Sequence, residues 1–226
     1  MTERTLPKPD KYASCPNGGK ILEYYAGTFD TVFVAFHQFY DKGELSSEKF
    51  EGDNWPDNPE IRDQCSSVPW SEILKITSIP SLADLDVGLR THIMGLNKQF
   101  ENRDAAKAID ELNDNIIIPV EGLICPFVEE KLLSALLSNG ERWLWVGDEF
   151  GTERKLWWIE DLLIKDVIPS SACSYIPDKS ISITTHWDSH CTFICGNGVK
   201  IRKILNDADL EGFYCNENTE VKWGLQ

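Results

Sequence analysis

An α+β fold, a single domain with a helical middle and a mostly antiparallel sheet in its C-terminal half, is predicted by three observations. Between Leu82 and Leu137 apolar residues recur at three- and four-residue intervals, the spacing of a helix face. After Arg142 the pattern changes to short β-branched and aromatic runs broken by turn residues, which is how strands read. Helices followed by strands, with no internal repeat, make one α+β domain the simplest architecture for 226 residues.

Residues 1–20 hold three prolines and a Gly-Gly pair, so an irregular arm is expected there. Thr31–Phe36 is short, β-branched and aromatic, as a buried strand requires. The segment 41–66 is acidic and broken by Gly43, Gly52, Pro56 and Pro59, and reads as a long loop. Pro69 opens a short helix through Trp70, Ile73 and Leu74. Ser81 followed by Asp84 caps the next, where Leu82, Leu85, Leu89, Ile93, Leu96 and Phe100 form one stripe along about five turns. A third helix spans Arg103 to Leu112, and a fourth runs from Pro126 to a stop at Asn139-Gly140.

Trp143–Val146 is a strand candidate, and Thr152 with Glu153 reads as the start of a helix reaching Lys165. Ile181 to Cys195 fits a hairpin, Val199 to Leu205 a short helix, and two last strands bracket Asn216–Asn218.

Charge and cysteine content exclude several classes. A formal charge of −15 repels phosphate backbones and anionic lipid heads, so neither nucleic acid nor membrane is an expected partner. The acids cluster at 41–63 and 206–220, where solvated loops are the plain account and docking of a basic protein partner the functional one. Seven cysteines, an odd number without paired spacing, and a polar N-terminal stretch predict reduced thiols in a cytoplasm. Nothing in the composition specifies a cofactor or an oligomeric state.

The stretch from Arg142 to Cys195 concentrates the side chains that carry chemistry. If His186-Trp187-Asp188-Ser189-His190 lies on one continuous strand, His186, Asp188 and His190 share a face and form a competent zinc or ferrous-iron ligand set. A turn at Asp188-Ser189 instead pairs His186 with Cys191 and Trp187 with His190, and the three ligands no longer converge. That register invites a thiolate–imidazole dyad, against which stands the usual burial of cysteine in cores. Asp148, Glu149, Glu153 and Arg154 form a second candidate cluster, with Glu149 or Glu153 as general base and Asp148 and Arg154 as binding groups. Carboxylates at a helix start equally explain the pattern. Trp55, an aromatic in a polar loop, is either an anchor on the body or a contact for a partner. His37 and His92 have no visible companions and read as structural.

SLADLDVGLRTHIMGL, WLWVGDEFGTERKLWWIEDL and ITTHWDSHCTFIC together resemble a family of uncharacterised proteins from Bacillus-like bacteria, a domain of unknown function, over most of the chain from about Trp70 onward. The resemblance implies a soluble bacterial protein and supplies no activity. The acidic charge and the late strand, hairpin, helix, strand order resemble small immunity proteins that neutralise bacterial toxins. Two functional readings follow: a non-catalytic binding or regulatory protein holding a basic partner, or a metal-dependent hydrolase built on His186, Asp188 and His190.

Overall fold

Thr31–Phe36 and Cys191–Gly196 are apolar at nearly every position because both are central strands covered on both faces. The computed structural model describes residues 8–221, Asp53 without its side chain. In chain order the elements are β1 (Gly19–Lys20), α1 (Ile21–Tyr25), β2 (Thr31–Phe36), β3 (Phe39–Asp41), α2 (Asn58–Gln64), β4 (Ser66–Val68), α3 (Trp70–Thr77), α4 (Leu82–His92) and α5 (Arg103–Asp110). They continue with β5 (Ile116–Ile117), α6 (Pro126–Ser138), β6 (Trp143–Gly147), β7 (Arg154–Trp158), α7 (Ile159–Leu162), β8 (Cys173–Tyr175), β9 (Ile181–Thr185), β10 (Cys191–Gly196), α8 (Gly198–Ala208), β11 (Gly212–Tyr214) and β12 (Glu220–Val221).

Seven strands form one antiparallel sheet in the order β11-β2-β10-β9-β8-β6-β7. The fold is α+β, with one addition to the sequence expectation: β2, from the N-terminal half, inserts between two late strands. Alternation along β2 and β10 sorts the core. Phe33, Ala35 and Ile194 face α6 and α8, packing with Leu132, Leu136, Ile201 and Ile204. Val34, Phe36, Cys191 and Phe193 face the other way, toward α1, α3, α4 and α5 through Ile21, Trp70, Leu85, Leu89 and Ile109. Helices therefore cover both faces.

Three sequence expectations need correction. Segment 41–66 is not one long loop: Asp57 caps α2 by accepting from the Glu60 N–H at 2.8 Å, Pro59 sits in its first turn, and Ile61 is buried beneath it. The stripe from Leu82 to Phe100 spans one helix of 11 residues and then a turn. Ser81 caps α4 as expected, but Met94 is left-handed (φ 59°) and the Gly95 N–H closes back on the Arg90 carbonyl at 2.9 Å, ending the helix. Residues 152–165 are not one helix; 154–158 form β7, paired with β6 from Trp143↔Trp158 to Gly147↔Arg154. The N-terminal arm, in its described part from residue 8, lies on the body through Tyr12, edge-on to Tyr175 with centroids 4.9 Å apart, and buried Ala13 and Ser14. Residues 1–7 lie outside the described residues.

Gly88 sets the distance between α4 and α5. A Cβ there would lie 2.8 Å from the Ala105 Cβ and 3.0 Å from Ile109 Cδ1. Gly88→Ala gains roughly 1 kcal/mol of helix propensity but overpacks this contact by 1–3 kcal/mol, so a net loss of about 1 kcal/mol is expected in urea unfolding. A stabilised variant would mean that α5 moves freely.

Candidate ligand cavity and the histidine end of the sheet

Thr185 pairs with Thr192, so β9 and β10 form a hairpin whose register continues to His186 opposite Cys191. Its tip is tied by short polar contacts. The Asp188 N–H donates to His186 Nδ1 at 3.3 Å, which places the His186 proton on Nε2. The Ser189 hydroxyl reaches the His186 carbonyl at 3.2 Å, and the Gly122 N–H donates to the Ser189 carbonyl at 3.0 Å. The continuous strand that would align His186, Asp188 and His190 is therefore not formed. Among the described residues no group of three or more His, Cys, Asp or Glu side chains is placed to hold a metal ion. Burial pushes the Cys191 thiol up to about 11, against the lowering effect of the Ser189 hydroxyl 3.6 Å from its Sγ, so it supplies no thiolate for a dyad with His186.

The same end of the sheet gathers a third histidine. His37 follows β2 and His190 precedes β10, and the His37 N–H donates to the His190 carbonyl at 2.9 Å. His37 Nε2 bonds the Thr192 hydroxyl at 2.8 Å, and Thr192 bonds the Thr185 hydroxyl at 2.7 Å. His37 is fully buried and His190 1% exposed; among the described residues His37 Nδ1 and both ring nitrogens of His190 have no hydrogen-bond partner. Burial, with Arg90 nearby, pulls His186 and His190 down to about 3, and burial with His190 nearby pulls His37 well below the ordinary range. All three imidazoles are neutral at pH 7. His92, by contrast, meets Asp110 at 2.7 Å on the surface between α4 and α5.

Asp148, Glu149, Glu153 and Arg154 belong to the β6–β7 turn. Burial alone would raise the Asp148 carboxyl, but donors from Thr152 and Glu153 outweigh it and hold it below the usual range; the Thr152 and Glu153 N–H groups lie at 2.8 and 3.0 Å. Asp148 thus closes the turn, a task that sequence attributed to a helix start. Arg154 donates to the Tyr175 hydroxyl at 3.2 Å and lies over its ring at 5.2 Å. Burial and Asp148 raise the Glu149 carboxyl. This turn shares an end of the sheet with the hairpin tip, but β8 intervenes, so the two clusters start about 10 Å apart. Trp55 is half-buried, edge-on to Phe50 at 5.2 Å and packed on the α6 side of the core, beside an open groove of about 610 Å³.

A cavity of about 370 Å³ opens on the other face, beneath α4. Its floor is sheet: Val34, Phe36, Cys191, Phe193 and Phe213. Leu82, Ala83, Asp86 and Arg90 of α4 form one wall, and Ile21 with 219–221 the opposite one. Phe36 is held from behind by Trp70, stacked at 4.4 Å and 8°. Arg90 and Asp86, one helical turn apart, form an ion pair with N–O distances of 2.8 Å to Oδ2 and 3.1 Å to Oδ1. Sequence gave no sign of this site, since its lining comes from six separate elements. Arg90 links it to the histidine end, being the charge that acts on His186 and His190.

Fold and cavity together define an α+β protein with an apolar chamber between its sheet and one helical layer. The chain belongs to the family described as Protein of unknown function (DUF2711), whose model matches residues 17–225. The match takes in the N-terminal strand and helix as well as the three segments that carry the resemblance. Uncharacterized protein YwbB of Bacillus subtilis (strain 168) is 22% identical over 197 residues, covering 85% of this chain and 88% of that protein. No solved structure matches significantly.

Proposed function

We propose that this is a non-catalytic binding protein that takes a small, largely apolar molecule into the cavity beneath α4. One observation carries the reading: a volume of about 370 Å³, in the range of ligand sites, has apolar walls and one ion pair converging on it. The depressed histidines support binding over acid–base chemistry, since imidazoles near 3 are poor proton carriers at neutral pH. The acidic segments support a basic protein partner less well, because Asp57 caps α2, Glu60 pairs with Lys49 and Trp55 packs inward. Seven free cysteines, five of them buried, suit a reducing cytoplasm, and among the described residues no helix is long and apolar enough to cross a membrane.

Nile red, a neutral polarity-sensitive dye, should bind saturably with one equivalent at the endpoint. Ala83→Trp places a large side chain at the exposed rim and should weaken binding at least tenfold without unfolding the protein. Unsaturable binding, or equal binding by the variant, sinks the reading.

A further inference from the structure

We infer that the cavity selects organic monocations, an amine or quaternary ammonium on an apolar body, with the cationic head beside Asp86. The inference rests on the binding reading above and names the class of ligand.

The walls and the rim point the same way. Phe36, Phe193 and Phe213 place three aromatic rings on the floor, and aromatic faces attract cations while giving nothing to anions. The charged groups of the lining are two carboxylates, Asp86 and Glu220, and one guanidinium, Arg90. Arg90 spends its fork on Asp86, and the pair is asymmetric: the Asp86 side chain is 31% exposed and that of Arg90 12%. A carboxylate has about four acceptor positions, so the open side of the pair is its acceptor side. At the opposite wall Glu220 lies across the β1–β12 ladder from Lys20, which is itself 3.4 Å from Glu23; those three residues sum to one negative charge.

An anionic head would have to displace Asp86 from Arg90 and remain beside it, in a protein of formal charge −15. A neutral head gains only the apolar walls. A cation gains the rings, the acceptor side of Asp86 and the general field. The acidic composition that suggests a basic protein partner is thus equally suited to a small cation.

Decyltrimethylammonium, decanol and decanoate share one apolar chain and differ in charge. In displacement of Nile red at pH 7.5 and low salt, the cation should act at a concentration at least tenfold below decanoate and several-fold below decanol. The preference should shrink at 0.5 M salt. Asp86→Asn removes the carboxylate that neutralises Arg90, so the order should invert in favour of decanoate; circular dichroism checks that the variant is folded. Equal displacement by all three probes, or the strongest by decanoate, with Ala83→Trp still blocking them, overturns cation selectivity and leaves the cavity reading standing. Failure of dye and all probes to bind overturns both.

Discussion

Stability will fall as pH drops from about 6.5 toward 3, steeply in the lower half of that range. His186 and His190 have ordinary values of 6.5 and are pulled to about 3 in the fold, by burial first and Arg90 second. Across that window the unfolded chain binds protons that the folded one refuses. The stability these groups permit is therefore complete above 6.5 and is lost progressively down to 3, each at a limiting slope of about 1.4 kcal/mol per pH unit. His37 acts in the same direction.

Glu129 opposes them. Burial lifts its carboxyl from 4.5 to about 7, so between these values the folded state holds the extra proton and stability falls as pH rises. The opposition ends below 4.5, where only the histidine slopes remain. From pH 7.5 to 4 the two histidines less Glu129 leave a net loss of about 4 kcal/mol before His37 is added, a large share of a typical total of about 5–15 kcal/mol, so a much lower urea midpoint is expected at pH 4. Urea midpoints from pH 7.5 to 4 measure the curve, and His190→Gln should flatten it. A level profile, or a variant with the wild-type slope, would show that the imidazoles are reached by protons without unfolding.

The second large effect is at Glu129 itself. It is 1% exposed on α6, accepts from Asn58 Nδ2 at 2.6 Å, and lies 3.7 Å from Arg62, whose side chain is 7% exposed and donates to the Leu163 carbonyl at 2.6 Å. At 3.7 Å this is an ion pair without a hydrogen bond, and among the described residues the facing Oε1 and Nη1 have no other bond. Above pH 7, where the wild-type carboxyl is ionised, Glu129→Ala leaves a buried guanidinium that cannot shed its proton, and should cost about 3–5 kcal/mol. Arg62→Ala leaves a carboxyl that can take a proton, so its cost should be smaller at pH 6 and grow above pH 7. Replacing both, Arg62→Leu with Glu129→Met, should recover most of the loss. Equal, pH-independent costs for the two single variants would contradict the asymmetry.

What the sequence reveals here depends on how local each signal is. The register of the 181–195 hairpin is one of two readings the residues leave open: Asp188-Ser189 favours a turn, but the flanking runs are buried on both faces, so no alternation rules out one continuous strand. The α3 and α6 starts are legible because proline at a helix start is a local rule. Thr152-Glu153 misleads because the same side chains that cap a helix also close a β-turn, and the pairing partner that decides, Trp143–Gly147, lies outside the window. Leu96 and Phe100 continue the α4 stripe in spacing alone, since one left-handed residue ends the helix. Glu129 is indistinguishable in letters from its exposed neighbour Glu130; only the arrival of α2 over α6 buries one of them. The cavity is the extreme case, assembled from residues as distant as Ile21 and Val221.

The position of β2 has a consequence for how the molecule is made. Its partners, β10 and β11, are synthesised long after it: Phe36 waits for Cys191, and Ala35 for Gly212. Until then Thr31-Val-Phe-Val-Ala-Phe36 has neither edge covered, and its apolar, uncharged composition is that of segments that pair with copies of themselves. Productive folding must close a loop of most of the chain, so it should be slow and most error-prone at high expression and high temperature. Nascent chains halted before residue 191 should be captured by chaperones through this one segment, and a charge placed within it should release them.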